Sequence, residues 1–337
     1  MKGLAYSILG IAFLFFSCKK EKPSSYTPEP VPEPSTELPL PACSNLPPAP
    51  PPFGWKDSTN NEDENVNFFR ANPVYPGVYI YCVNGKIFPQ NRVYFYTYNT
   101  GIRQCVSEIG DYLPDVNANG WMVFSKPDQN IYKVKLNGDS LTQITFNNLC
   151  LNPKWDHTGK FIYCYQKANG TYPSYLLRIT PQGQGAGSNF VDYPNTVPCK
   201  SSDKVYYLKT DNQKLSLYIW DRAVNSETLM STSSFSFSGY QNDFFDLQID
   251  NQEAYLYWSN NRGIMRYEIA SHLCDTLLKN CPNYTFLHPQ ISDNGEELSI
   301  SCKVLSPLNS KILYRQYKCI ELNLKNHLWR ELQFFPH

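Results

Sequence analysis

Asn152-Pro153-Lys154-Trp155-Asp156-His157-Thr158-Gly159-Lys160-Phe161-Ile162-Tyr163 reads as a short strand, a tight polar turn and the start of a second strand. Asp, Asn and Gly tolerate left-handed backbone and hydrogen-bond locally, so Asp156-His157-Thr158-Gly159 reverses the chain in few residues. The same grammar returns in His288-Pro289-Gln290-Ile291-Ser292-Asp293-Asn294-Gly295-Glu296-Glu297-Leu298. It returns with less fidelity in Leu113–Phe124, and degenerate copies run over Val197–Tyr207 and Phe245–Leu256. A first copy starts near Pro73, ahead of Val78-Tyr79-Ile80-Tyr81.

Outward from each copy come a loop and a third strand: Asn130–Val134, Tyr175–Ile179, Leu215–Trp220 and Gly263–Glu268. A further turn such as Asn137-Gly138-Asp139 leads to a fourth strand such as Leu141–Thr145. Four strands in a period of about 40 residues is the unit of a propeller blade. The 25 Tyr, 19 Phe and 6 Trp suit strands, Met is scarce at 4, and no helical stripe of about 12 or more residues appears.

These copies resemble the TolB-type repeat, a WD40-like (PD40) unit in which a Pro, an aromatic and a Ser-Pro-Asp-Gly-like turn precede an apolar strand. The likeness covers residues 70–335 and is closest in the copies at Pro153 and Pro289. Neither keeps the full turn, since Asp156-His157-Thr158-Gly159 and Ser292-Asp293-Asn294-Gly295 both depart from it. The resemblance implies an all-β fold: a β-propeller of six four-stranded blades starting near 73, 114, 153, 198, 247 and 289. Seven blades result if residues 53–72 contribute more than a closing strand.

Met1-Lys2-Gly3 followed by an apolar run from Leu4 to Phe16 has the layout of a secretory signal peptide. The run is shorter than the roughly 20 apolar residues of a spanning helix. Its end, Phe16-Ser17-Cys18-Lys19-Lys20, resembles the lipobox of Bacteroidetes lipoproteins. That resemblance implies cleavage after residue 17, a diacylglycerol thioether on Cys18 and an acyl chain such as palmitate on its amine. Two or three chains anchor a protein stably where one does so marginally. Residues 18–52 are Pro-rich and read as a disordered, extended tether without a core, reaching ~100 Å at about 3.1 Å per residue. Residues 53–337 form the propeller domain, and the protein belongs at the cell envelope, on the outer membrane, with the facing side left open.

The formal net charge is zero and no Lys/Arg stripe appears, so nucleic acid is not an expected partner. Cys18 aside, ten Cys remain; an exported chain is free to pair some of them, and their connectivity is not readable from sequence. Cys82, Cys164 and Cys302 lie within apolar strand patterns and read as buried thiols. No Cys-x-x-Cys, His-Glu-x-x-His or Gly-x-Ser-x-Gly occurs, so neither a metal nor another cofactor is expected and no catalytic residue is assigned.

A propeller exposes loops before each first strand and between the second and third strands on one face. Asn148, Tyr172, Asn260, Arg262 and His288 fall there and suit stacking and hydrogen bonding to a peptide or glycan. The leading expectation is therefore a non-catalytic, lipid-anchored module that binds a protein or glycan. One alternative is a glycan-active enzyme with carboxylates at the channel mouth. A second is a structural component of envelope assembly.

Overall fold

Asp156 shows why the repeat folds as it does. Its Oδ1 accepts the Phe161 amide at 2.8 Å, its Oδ2 takes the Thr158 hydroxyl, and the Asp156 amide donates to the Phe161 carbonyl at 3.0 Å. One side chain thus satisfies the turn and sets the first strand against the second. Asn117 does the same for the amides of Asn119 and Trp121, both at 3.0 Å, and Ser292 for that of Glu297 at 2.9 Å. Asp250 accepts from Ala254 and Tyr255 at 2.8 and 3.1 Å. Three residues on from each stands a left-handed residue: Gly120, Gly159, Gly295 and, in the degenerate copy, Glu253. Glu253 bears a left-handed φ of 53° while its carboxylate accepts the amides of Lys200 and Ser201, a contact that joins two blades.

The structure is a computed structural model. It describes residues 38–39, 65–72, 75, 77–84, 91–97, 100, 102–107, 114–147, 149–168, 174–189, 195–211, 214–233, 246–281, 284–292, 294–306 and 314–332. Among them the strands form six antiparallel sheets, each built from four consecutive strands. Blade 1 holds Asn65–Ala71, Val78–Asn84, Asn91–Thr97 and Ile102–Ser107; blade 2 holds Asp115–Val116, Trp121–Ser125, Ile131–Lys135 and Thr142–Gln143. Blade 3 holds Cys150–Trp155, Ile162–Gln166, Tyr175–Ile179 and Gly185–Asn189; blade 4 holds Thr196–Pro198, Lys204–Asp211, Lys214–Asp221 and Ser226–Ser233. Blade 5 holds Gln248–Ile249, Tyr255–Asn260, Gly263–Glu268 and Leu273–Lys279; blade 6 holds Tyr284–Ile291, Glu297–Ser306, Tyr314–Asn323 and Leu328–Leu332. No helix among the described residues is long and apolar enough to cross a membrane.

Two details differ from the sequence reading. The first blade begins at Asn65, not near Pro73: Asn65–Ala71 pairs with Val78–Asn84 as that blade's own first strand, so it closes no other sheet. The sequence hid this strand because Phe69 stands where the clear copies carry Pro, and Asn72–Gly77 is longer than their turns. Further upstream, Leu38–Pro39, within the stretch read as tether, pairs with Leu328–Trp329 as a fifth strand on blade 6. Pro39 lacks an N–H and is tolerated there because the position is a sheet edge.

The apolar cores lie between blades. Ile80, Val93 and Phe95 of blade 1 pack on Met122, Phe124 and Val134 of blade 2. Ile131 of blade 2 packs with Trp155, Ile162 and Cys164 of blade 3, and Tyr163 of blade 3 with Val205 and Trp220 of blade 4. Leu215 and Tyr206 of blade 4 meet Leu256 and Trp258 of blade 5, whose Tyr257 and Ile264 meet Phe286 and Ile300 of blade 6. No blade hides its faces alone, which is why such units close into a ring. The ring is completed where Asn65–Ala71 lies against the first three strands of blade 6. Cys82, Cys164 and Cys302 are buried free thiols, and Cys281 is disulfide-bonded.

Candidate functional site

The first strands are innermost. Their residues reach one another across blades, whereas fourth strands such as Leu273–Lys279 are exposed over most of their length. Counting back two residues from each turn-starting residue gives one equivalent position per blade: Arg70, Asp115, Lys154, Val197, Gln248 and Gln290. All six are buried. The axis of the propeller is thus ringed by a cation, an anion, a cation, an apolar residue and two amides.

Two carboxylates organise this ring. Asp115 Oδ1 accepts from Arg70 Nη1 at 3.3 Å and its Oδ2 from the Trp155 amide at 2.7 Å, so one side chain links blades 1, 2 and 3. Asp246, one turn-offset further out on the entry to blade 5, accepts Gln290 Nε2 at 3.3 Å and lies 3.0 Å from His288 Nδ1. Burial pushes the Asp246 carboxyl up, but the hydrogen bond from His288 and the positive charge of Lys154 outweigh it and hold it below its ordinary value. An ionised carboxylate only accepts, so Nδ1 of His288 carries the proton of this hydrogen bond. The His288 side chain is 19% exposed and that of Asp246 2%. Among the described residues, Lys154 Nζ, Gln248 Nε2 and Gln290 Oε1 are buried without a hydrogen-bond partner.

His288 has a left-handed φ of 51°, ahead of Pro289, at a break in register between Leu287 and Gln290. Asn152 in blade 3 has φ 50° at the matching break before Pro153. A residue before Pro is normally extended, so both positions store backbone strain that the surrounding sheet imposes. The bulge turns the His288 ring toward Asp246 of the neighbouring blade.

Of the residues singled out from sequence, His288, Asn260 and Arg262 fall among the described ones. His288 sits inside the first strand of blade 6 rather than on a loop. Asn260 and Arg262 form the hairpin between the second and third strands of blade 5. There Asn260 Oδ1 accepts the amides of Arg262 and Gly263 at 2.8 and 3.2 Å, so it shapes the turn. Asn280 ties that turn to blade 6, donating its amide to the Arg262 carbonyl at 2.6 Å and accepting the Phe286 amide at 2.8 Å. Asn148, Tyr172 and Cys18 lie outside the described residues. Sequence reading missed Arg70, Asp115, Lys154, Asp246 and Gln290. The signal was present: Asp115, Lys154 and Gln290 each follow the Pro of their repeat, and a polar residue recurring at a core offset marks an inner ring. No group of three or more His, Cys, Asp or Glu suited to a metal occurs among the described residues.

No protein-family model matches the sequence, and no curated protein matches it. Solved structures do resemble it. A protein assigned as TolB from Agrobacterium tumefaciens superposes with TM-score 0.55 at 12% identity, over 72% of this chain and 88% of that one. A chain of hydrazine synthase from Kuenenia stuttgartiensis gives 0.51 at 11% identity, over 74% and 79%. TolB from Acinetobacter baumannii gives 0.49 at 11% identity, over 72% and 65%. At such identities the likeness is one of fold, and the fold is a β-propeller of the kind found in TolB.

Proposed function

We propose that this protein is a lipid-anchored component of the cell envelope, held on the outer membrane through Cys18, whose propeller binds a protein or glycan without transforming it. The observation that carries the binding reading is the state of the two inner carboxylates. Asp115 is engaged by Arg70 and the Trp155 amide, and Asp246 by His288 and Gln290. A glycosidase needs one carboxyl kept protonated near neutral pH by a raised pKa. Asp246 is shifted the other way. The leader ending in Phe16-Ser17-Cys18 supports the anchor, and loops on one face of the ring supply a recognition surface.

A second reading has one observation in its favour: Asp246 behind His288 is the arrangement that orients an imidazole as a general base. One set of experiments separates the two. Under the binding reading, the full chain retrieves a defined envelope protein or glycan and shows no turnover of envelope polysaccharides or peptides. Turnover abolished by His288→Gln establishes the enzyme instead. Metabolic labelling with palmitate that persists in Cys18→Ala cells removes the anchor.

A further inference from the structure

We infer that Cys150 and Cys164 of blade 3 are a redox-active pair that closes into a disulfide when the protein meets a disulfide oxidant. The two lie on the first and second strands of one sheet. Cys150 stands opposite Gln166, and side chains two positions apart in a strand share a face, so Cys150 and Cys164 are diagonal neighbours on one face. That face is turned to blade 2: both thiols are 0% exposed and pack in the cluster that holds Ile131, Ile144 and Trp155. The break in register between Leu151 and Lys154 falls opposite Cys164, where Asn152 carries its left-handed φ of 50°. A bulge bends and twists its strand locally, and beside this one the two thiols are in hydrogen-bond contact. Cys302 and Cys319, on neighbouring strands of blade 6, stand on opposite faces instead, since Cys302 opposes Lys318 and Ser301 opposes Cys319.

The surroundings give the two thiols different roles. The hydrogen bond from Cys164 holds the Cys150 thiol below its ordinary value; burial opposes this, and hydrogen bonds with Asn147 and Thr145 add to it. Asn147 Oδ1 lies 3.3 Å from Cys150 Sγ. The same bond to Cys150, with burial, pushes the Cys164 thiol well up. A thiolate is the nucleophile in disulfide chemistry, so Cys150 attacks first. It is the first residue of its strand, and the loop before it carries Phe146, which is 77% exposed, so a surface loop covers this end of the pair. The Cys150 thiolate attacks one sulfur of a small disulfide, forming a mixed disulfide and releasing one thiolate. Cys164 then loses its proton and attacks Cys150 Sγ, which releases the second thiolate. Two cysteines are oxidised to one disulfide, and the small disulfide is reduced to two thiols that take up both protons. The cross-link fastens the end of the loop that carries Phe146 to the second strand of blade 3. An exported chain meets such oxidants, but the pairing itself does not rest on the functional reading above.

Peptide mapping of the full chain tests this. The protein is reduced, unfolded in urea and refolded in a mixture of reduced and oxidised glutathione, so that burial does not limit access. Circular dichroism checks the return of the fold, and a second sample is held native in the same mixture throughout. Free thiols are then alkylated with iodoacetamide in urea and the peptides read by mass spectrometry. Wild type should yield a Cys150–Cys164 linked peptide, two hydrogens lighter than the reduced pair, with Cys199, Cys302 and Cys319 alkylated. The native sample should give the same map more slowly. Cys164→Ser should stop at one glutathione on Cys150, and Cys150→Ser should leave Cys164 alkylated. Folded wild type in which Cys150 and Cys164 are both alkylated overturns the proposal, and so does Cys150 linked to any cysteine other than Cys164. Wild type alone decides both outcomes, so a variant that fails to fold leaves the test intact. Neither outcome depends on whether the protein binds a partner or carries lipid.

Discussion

The Tyr79 hydroxyl donates to Glu321 Oε1 across 3.2 Å, joining the first blade to the sixth although 242 positions separate them in the chain. Burial, with the negative charge of Glu321, pushes the Tyr79 phenol far up, so it stays a donor at any working pH. Glu321 is 4% exposed and also holds Arg330. Removing the carboxylate takes an acceptor from Tyr79 and an ion-pair partner from Arg330, whereas removing the phenol leaves Glu321 bound to Arg330. Glu321→Ala should therefore cost ~2–3 kcal/mol, discounted for the partial exposure of Arg330, and Tyr79→Phe about 1 kcal/mol. Urea titrations followed by tryptophan fluorescence give both values. A Glu321→Ala midpoint equal to that of wild type would show that the seam is held elsewhere.

Asp115 offers a sharper case, because it is buried with a buried guanidinium. Asp115→Ala removes the carboxylate that faces the buried Arg70 guanidinium and strips the Trp155 amide of its acceptor, for a loss of ~3–5 kcal/mol. Asp115→Asn keeps an acceptor for the amide and should lose distinctly less. Thermal melts of the two variants ought to rank in that order, and the reverse order would mean that Asp115 matters by volume rather than by charge.

Acid should find Asp246 late. Its folded-state carboxyl is held below its ordinary value, so folding favours the ionised form. The associated stability is present above the unfolded carboxylate value of ~3.9 and drains away as pH falls from there through the folded value. Asp246→Asn should therefore flatten stability against pH below ~4 while lowering the plateau near neutrality. Denaturation midpoints from pH 2 to 7 measure it, and a variant as acid-sensitive as wild type would assign the acid response to other carboxyls.

Gly159 and Gly120 occupy the same turn position in adjacent blades, both with left-handed backbone, but their surroundings differ. A Cβ at Gly159 would come within 2.6 Å of Asn119 Nδ2 in the neighbouring blade's turn, while one at Gly120 meets nothing within 4 Å. Gly120→Ala should cost about 1 kcal/mol from backbone strain alone, and Gly159→Ala about 1 kcal/mol more for displacing Asn119. Calorimetry on the pair would contradict this if the two substitutions proved equal.

Among the free cysteines Cys274 is exposed, whereas Cys82, Cys150, Cys164, Cys199, Cys302 and Cys319 are buried. Partial burial beside the adjoining strand, with the negative charge of Asp275, pushes the Cys274 thiol up to about 11. Iodoacetamide should modify Cys274 first, slowly at pH 7.5 and roughly tenfold faster per pH unit as the thiolate fraction rises. Peptide mass spectrometry that found a buried cysteine reacting ahead of it would reveal an opened blade.

The repeat was legible wherever the chain carried its own turn. Asp156-His157-Thr158-Gly159 and Asn294-Gly295 declare themselves because left-handed backbone and side-chain capping need those residue types, and the strand order followed from them. Asn65–Ala71 stayed hidden because its turn, although capped by Asn72 and closed by the left-handed Gly77, is longer than the others and follows a strand without the repeat's Pro. The inner ring was half legible: His288 drew attention as a lone histidine, yet its partner Asp246 comes from another blade 42 positions away. Contacts of that kind are set by ring closure, and local pattern does not encode which blade will face which. Asn260 shows that a polar hairpin residue can serve the backbone as well, since its side chain accepts the Arg262 and Gly263 amides.

Blades 1 to 5 are each made from one uninterrupted run of chain, and blade 6 adds to its own run the upstream strand Leu38–Pro39 on its outer edge. The ring behaves as a split washer, whose cut is held shut by side chains such as Tyr79 and Glu321. Mechanical load entering through the N-terminal end reaches the Leu38–Pro39 strand first, so under tension that strand should peel from blade 6 before the cut gapes with its blades still folded.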